Sequence, residues 1–315
     1  MHIGRDQRSA QKLENGTRTM ALKDNSKLKI WLDATRPKTL PASIIPVIAG
    51  TAIAGNQTKI SWFLFIMIIS TALAIQFTTN FVNDLYDHLK GADNEERKGP
   101  VRATQAGLVS PEEMRKASIL SVIASLLLGS YLVLHGGWPI ALIGILSIIF
   151  AIAYTAGPLP LAYLGLGDIF VFIFFGPVAV AGTTYLFTAD WQSASILTGC
   201  ALGSISMAIL TVNNLRDYDG DKAALKKTMV VRFGKTFGKM EYITSIVFAG
   251  LVPPLLILNG HANFWILTAS ASLLFAIPLV KNVLKERELN NTLAGTGKLL
   301  VIFGIVFSIA WVFGR

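Results

Sequence analysis

Two short stretches hold most of the residues in this chain that could do chemistry. The first reads Asn80-Phe81-Val82-Asn83-Asp84-Leu85-Tyr86-Asp87-His88-Leu89-Lys90-Gly91-Ala92-Asp93, and the second Asn213-Asn214-Leu215-Arg216-Asp217-Tyr218-Asp219-Gly220-Asp221. Each contains Asn-x-x-x-Asp (Asn80 with Asp84, Asn213 with Asp217), and another acid follows about one turn later, at Asp87 and at Asp221. Positions three or four apart share a helical face, so each stretch presents a stripe of oxygen ligands. Mg²⁺ takes oxygen ligands and typically binds through one or two carboxylates plus substrate phosphates. Two facing stripes can therefore hold two Mg²⁺ ions with a diphosphate between them. The cations interleaved with the acids suit the same substrate: Lys90, Arg97, Lys98 and Arg102 beside the first stripe, and Arg216, Lys222, Lys226, Lys227 and Arg232 beside the second. Arginine in particular grips phosphate oxygens in pairs. A lone loop aspartate is ordinarily just solvated, but two matched stripes, each entered from an apolar helix, argue against that and suggest an internal duplication.

The elements that position these stripes must lie in a bilayer. Charged residues make up only 15% of the 315 residues and apolar types 52%, and the mean hydropathy is +0.54. A soluble fold of this size needs a fuller charged coat, which excludes an ordinary cytosolic enzyme, a nucleic-acid-binding domain and a disordered chain. The net charge of +9 is read as membrane topology, with a lipid bilayer and no nucleic acid as partner. The single cysteine, Cys200, excludes an internal disulfide and a thiolate metal cage. His88 and His135 have no metal-ligand partners at suitable spacing and read as loop residues.

Charge-free runs cover 39–58, 60–83, 117–167, 169–189, 191–215, 242–280 and 299–314. A spanning helix needs ~20 apolar residues. The runs at 117–167 and 242–280 are each long enough for two helices, broken at His135-Gly136-Gly137-Trp138-Pro139 and at Asn259-Gly260-His261-Ala262-Asn263. The expectation is an all-α integral membrane fold of nine transmembrane helices. With the N-terminus in the cytoplasm and the C-terminus outside, 26 of the 28 Lys and Arg residues fall on the inner side, leaving only Lys59 and Arg315. Both acidic stripes then face the cytoplasm at the cell (inner) membrane. Residues 1–29 read as a polar, disordered cytoplasmic tail and 30–315 as one catalytic domain. Asp168 stands in an otherwise apolar stretch, where an acid is either a functional residue or a cap on the dipole of the following helix.

Four stretches together resemble the UbiA superfamily of intramembrane aromatic prenyltransferases, most closely its 1,4-dihydroxy-2-naphthoate polyprenyltransferase branch. They are Ala34-Thr35-Arg36-Pro37-Lys38-Thr39-Leu40; Asn83-Asp84-x-x-Asp87-x-x-Lys90-Gly91-x-Asp93 with Gly99-Pro100-Val101-Arg102-Ala103-Thr104-Gln105-x-Gly107; Tyr154-Thr155-x-Gly157-Pro158-x-Pro160-Leu161-Ala162-Tyr163 continuing to Gly167-Asp168; and Asn213-Asn214-x-Arg216-Asp217-x-x-x-Asp221 with Lys226-x-Thr228-x-Val230-Val231-Arg232-x-Gly234. The broad superfamily pattern has an acid where Gly91 stands; the naphthoate branch is similar to this chain there.

The resemblance implies a UbiA-like helical bundle that moves a polyprenyl group from polyprenyl diphosphate to 1,4-dihydroxy-2-naphthoate, with loss of CO₂ and diphosphate, in menaquinone biosynthesis. It implies Asn83, Asp84, Asp87, Asp93, Asp217 and Asp221 as Mg²⁺ ligands. Catalytic roles fall to Asp87, Asp217, Arg102, Lys226 and Tyr154, and substrate binding to Arg36, Lys38, Asn83, Lys90, Asn214 and Arg232. Arg36 and Lys38 read either as a clasp for the acceptor carboxylate or as positive anchors of the first helix. Tyr86 and Tyr154 offer aromatic faces to an allylic cation. Sibling enzymes acting on 4-hydroxybenzoate, homogentisate or a haem would use the same metal site. A cation or metabolite transporter would instead place its acids along a path through the midplane.

Overall fold

The computed structural model describes residues 27–91, 99 and 101–314. Asp93, Arg97, Lys98 and residues 1–26 of the expected tail lie outside the described residues; residues 27–29 already belong to the first helix. Among the described residues every regular element is helical.

Helix α1 (Lys27–Ala34) leads through a 3₁₀ turn (Pro37–Thr39) into α2 (Pro41–Ala54), with a bend of 54° between the two arms. Then come α3 (Trp62–Leu89), α4 (Pro111–Gly136), α5 (Trp138–Ala153), α6 (Gly167–Phe174), α7 (Pro177–Thr188) and α8 (Ser193–Arg216). After two short helices, α9 (Tyr218–Ala223) and α10 (Met229–Phe233), the chain continues as α11 (Lys235–Leu258), α12 (Leu267–Ser272), α13 (Ile277–Lys285) and α14 (Leu289–Phe313).

Local chemistry explains the boundaries. Ser110 caps α4 reciprocally with Glu113, and Pro111 fills the first helical position, where a missing N–H costs nothing. Gly137, at φ 73, breaks α4 from α5 at the expected cluster. Asn263 accepts from the Trp265 amide after the second breaker. The second apolar run continues as helix well past its last uncharged residue, so Asp84 and Asp87 are helical and only Lys90 and Gly91 lie in the turn beyond.

Among the described residues seven segments are long and apolar enough to cross a bilayer: α3, α4, α6 with α7, α8, α11, Phe264–Lys285 and α14. The bent α1–α2 pair makes an eighth if it is one span. Each of the nine expected spans has a helical segment of its own, but α5 has only 16 residues, about 24 Å of rise against a ~30 Å hydrocarbon core. The expected nine, seven charge-free runs with two of them split, thus exceeds the seven or eight segments long enough to cross, and α5 is the one that falls short even when α1 and α2 count as a single span.

Helix α8 is the axis of the bundle. Its apolar window is 67% buried, against 17% for α4 at the periphery. The main core joins α8 to α2, α11, α12 and α14 through residues such as Ile45, Leu202, Ile205, Tyr242, Leu299 and Phe303. Between helices in lipid there is little hydrophobic drive, so close backbone approach and van der Waals contact do the work. Gly199 and Gly203 provide that approach: a Cβ on Gly203 would stand 2.3 Å from the Phe172 carbonyl oxygen, and one on Gly199 2.5 Å from Pro177 Cα. The break between α6 and α7 can thus sit directly on α8. Gly203→Val is expected to lower stability by about 1–3 kcal/mol or more, read as an earlier unfolding transition of the detergent-solubilised protein. Gly144→Ala, at a position with open space around it, should leave the transition in place.

Candidate active site

One face of α3 carries Ile68, Ala72, Ile75, Thr79, Asn83 and Asp87 along the wall of a cavity of about 1520 Å³. At 1.5 Å per residue that wall runs about 28 Å from an apolar floor to an acidic mouth. Phe150 of α5 packs 4.4 Å from Phe170 and 5.4 Å from Phe174, centroid to centroid, and all three rings line the cavity.

The mouth is built where the ends of α3 and α8 meet. Asn80 donates to the Thr35 carbonyl at 2.8 Å and so fixes the end of α1. Asp84 accepts from the Ala103 and Thr104 amides at 3.1 and 3.0 Å, holding the loop that delivers Arg102. The Asn80–Asp84 pair, first to stand out by spacing, is thus largely scaffolding, although both residues line the cavity. The neighbouring register, Asn83 and Asp87, meets the basic side chains. Arg102 Nη2 lies 3.4 Å from Asn83 Oδ1 and 3.8 Å from Asp87 Oδ2.

The second stripe is held in the same manner. Arg216, buried at the end of α8, grips both Asp217 oxygens at 2.8 and 2.6 Å, and also reaches Asn213 at 2.7 Å and Asn290 at 3.2 Å. The turn after α9 returns Lys226 to Asp221, through its amide on the Asp221 carbonyl at 2.8 Å. Lys226 Nζ then stands 3.9 Å from Asp221 and 3.8 Å from Asp87. One ammonium joins the two sequence-distant acid clusters.

Tyr163, which spacing alone did not single out, organises the same point. Its hydroxyl donates to Asp87 Oδ1 at 3.3 Å, and its ring takes Lys90 at 4.6 Å and Lys226 at 5.5 Å from the centroid. The only sequence signal was its place in the Tyr154–Tyr163 stretch, where the loop's Pro and Gly residues dominate. Burial, reinforced by Asp87 and Asp221, pushes the Tyr163 phenol well up. Burial and then Asp168, Asp87 and Asp221 do the same to Tyr154. Both phenols therefore stay protonated donors. Desolvation holds Lys90 below the usual lysine range, with Lys226 adding to the depression and Asp87 opposing it. Its Nζ donates to the Thr155 carbonyl at 2.7 Å.

Among the remaining expected residues, Arg36, Lys38, Tyr154, Asn214 and Asp217 all line the cavity. Arg36 is held at φ 54 ahead of the Pro37–Thr39 turn. Arg232 does not join them: it is exposed, and its Nε donates to the Lys227 carbonyl. Tyr86 packs into a separate apolar cluster with Trp31 and Phe81. His135 lies 3.1 Å from the Leu186 carbonyl as a structural contact. Among the described residues no three His, Cys, Asp or Glu side chains converge as a ready metal cage. The donor set is instead all-oxygen, with one or two carboxylates per side and cations placed for an anion, which fits a hard divalent ion whose coordination is completed by phosphate oxygens.

The sequence pattern of the UbiA prenyltransferase family matches residues 43–300. A Haemophilus influenzae protein named 1,4-dihydroxy-2-naphthoate octaprenyltransferase is 36% identical over 309 residues, covering 92% of this chain and 98% of its own. The Escherichia coli K12 protein of the same name is 35% identical, covering 90% and 97%. In three dimensions the chain is similar to a UbiA homologue from Archaeoglobus fulgidus solved with DMAPP and Mg²⁺, with a TM-score of 0.66 at 15% identity, covering 90% of this chain and 98% of that one.

Removing the Asp84 carboxylate strands two amides of the Arg102 loop. Asp84→Ala is expected to cost about 2–4 kcal/mol and to expose the Arg102–Ala103 bond to trypsin. Asp87→Ala should leave that bond protected. Equal protection of both variants would show that Asp84 does not hold the loop.

Proposed function

The chain belongs to the UbiA prenyltransferase family, and from that premise we propose that it transfers a polyprenyl group from its diphosphate to 1,4-dihydroxy-2-naphthoate. The product is a demethylmenaquinol of menaquinone biosynthesis. The observation that carries the reading is Lys226 set between Asp87 and Asp221 at the mouth of a long apolar cavity. Acids from two segments and a base at one point make a metal–diphosphate receptor; the apolar cavity takes the prenyl chain. The names of the relatives covering nearly the whole chain favour a naphthoate acceptor over the sibling acceptors.

In this reading Asn83, Asp84 and Asp87 on one side and Asp217 and Asp221 on the other hold two Mg²⁺ ions. Bound there, the ions neutralise the diphosphate and act as Lewis acids toward its oxygens. Lys226 and Arg102 carry the charge that grows on the leaving diphosphate as the allylic C–O bond breaks. Tyr163 holds Asp87 and keeps Lys90 and Lys226 aligned across its ring. Tyr154, with Phe150 and Phe170 along the same wall, offers π faces to the allylic cation. Arg36 and Lys38 take the acceptor carboxylate at the opening. The acceptor ring carbon bonds to the cation, CO₂ leaves, and the proton displaced from the attacked ring carbon balances the one gained at the decarboxylated position.

The membrane placement belongs to the same proposal. Nine spans with the N-terminus inside put the mouth at the cytoplasmic face of the inner membrane, residues 1–29 in the cytoplasm and residues 30–315 in the catalytic domain. The positive-inside distribution supports this orientation. The short α5 then crosses by local thinning of the bilayer.

Purified protein stripped with EDTA should lose prenyl transfer and regain it with Mg²⁺. Isothermal titration of the stripped protein with prenyl diphosphate should show tight binding only when Mg²⁺ is present. Full turnover or undiminished binding without the ion would remove the metal–diphosphate reading. Asp87→Ala and Asp221→Ala should each lower kcat/KM at least a hundredfold. The double variant should be scarcely worse, because residues gripping one group act as a unit; multiplying losses would indicate two separate sites.

A further inference from the structure

Asp168 is the buried acid that the diphosphate site leaves unused. It occupies the second position of α6, is 2% exposed and lines the cavity. The helix dipole accounts for an acid in a first turn but not for its place on the wall of a substrate cavity. Its carboxylate is met by its own backbone amide and by Asn214 Nδ2 at 3.5 Å, the long limit of a hydrogen bond, whereas an ionised carboxylate has about four acceptor positions. Among the described residues no lysine or arginine forms an ion pair with it, in contrast to Asp87, Asp217 and Asp221. A carboxylate so placed is suited neither to a phosphate nor to another carboxylate, and it is well suited to an O–H donor.

The surroundings support the same ligand chemistry. Asn214 also lines the cavity and is 5% exposed, so it positions Asp168 from α8. One turn earlier on α8, Thr211 donates to Glu241 at 3.0 Å, so that second acid lies within charge range of Asp168 but off the cavity wall. The Tyr154 hydroxyl packs against Gly167, where an added Cβ would stand 3.2 Å from it. Tyr154 also lies within charge range of both Asp168 and Arg36. All three line the same cavity, so a flat acceptor beside Tyr154 has both a cation and a carboxylate within charge range.

We propose that Asp168 accepts a hydrogen bond from a ring hydroxyl of the aromatic acceptor and so, together with Arg36 and Lys38 on the wall of the same cavity, sets which ring edge faces the prenyl group. This rests on the acceptor class proposed above. The site would select hydroxylated aromatic acids over ethers of the same shape, because an ether leaves the buried carboxylate without its donor.

The test is equilibrium binding to the detergent-purified full chain of two non-physiological probes, 4-hydroxy-2-naphthoate and 4-methoxy-2-naphthoate. In these the oxygen lies too far from the carboxylate to bond within the molecule. The wild type is expected to bind the hydroxy probe ten- to fiftyfold more tightly. In Asp168→Leu, branched alike at Cγ but larger and without an acceptor, the preference should fall below threefold. Asp168→Asn, which keeps one acceptor oxygen, should lie between, and serves if the Leu variant does not fold. The KM for prenyl diphosphate should move less than twofold in the Asn variant. Equal binding of both probes by the wild type, or an undiminished preference in the folded variants, would overturn the assignment. A merely structural Asp168 would weaken both probes alike. If the wild type transfers to no aromatic acceptor yet prefers the hydroxy probe through Asp168, the reaction proposed above fails while this recognition is supported.

Discussion

Burying negative charge is expensive, and the architecture follows from how this chain offsets it. Asp84 and Asp87 are each 2% exposed and Asp217 lies beside a buried arginine. In such surroundings an unmatched carboxylate costs several kcal/mol. Each acid here has its answer: two backbone amides for Asp84, Tyr163 with Arg102 and Lys226 for Asp87, and a two-point guanidinium grip for Asp217. Those partners come from different parts of the chain. For Asp87 the loop of Arg102, the loop of Tyr163 and the turn of Lys226 must all close on the α3 end, whereas Asp84 needs the Arg102 loop and Asp217 is met by the adjacent Arg216. The charge constraint is therefore also an assembly constraint.

The bundle beneath meets it with unequal stiffness. Around α8 the packing is close and glycine-assisted, and buried hydroxyls return to their own helices, as Thr198 does to Ala194 and Ser206 to Leu202. This satisfies polar groups where lipid supplies no partner. The α8 end, with Asn213, Asn214 and Arg216, is consequently a fixed reference. On the other side the short α5 and the peripheral α4 border the cavity, and Leu126 and Ile145 are both cavity-lining and more than half exposed. A rigid half that holds the charged end and an open half facing the lipid suit a substrate with a diphosphate head and a long apolar tail.

Likeness to the Archaeoglobus fulgidus fold persists at 15% identity, which shows how little of this architecture depends on particular core side chains. Apolar runs, breakers and a few close glycine contacts suffice for the bundle. The mouth is different in kind. Its residues are constrained by geometry to atoms on other elements, and both Asn-x-x-x-Asp stretches fall there, at the ends of α3 and α8.

The sequence by itself determined the membrane class, the all-helical fold, the position of both breaker clusters and the two acidic stripes. Each is a local property: hydrocarbon length, Gly and Pro backbone preference, and 3.6-residue periodicity act within one segment. It also placed Asp87, Asp221, Arg102 and Lys226 among the functional candidates, since charge beside an apolar helix end is conspicuous. What only the tertiary structure decided is which cavity-lining oxygens also hold a loop and which meet the basic side chains. Asp84 and Asp87 look alike in the chain, yet one holds the backbone of residues 103 and 104 while the other meets Lys226. Arg232 and Arg102 look equally basic, yet one lies on the surface. The choice of α5 as a short wall and the turn of Asp168 toward the cavity were settled in the same way. Such distinctions depend on the rotation of each helix about its axis and on contacts between residues far apart in sequence, and no local pattern encodes either.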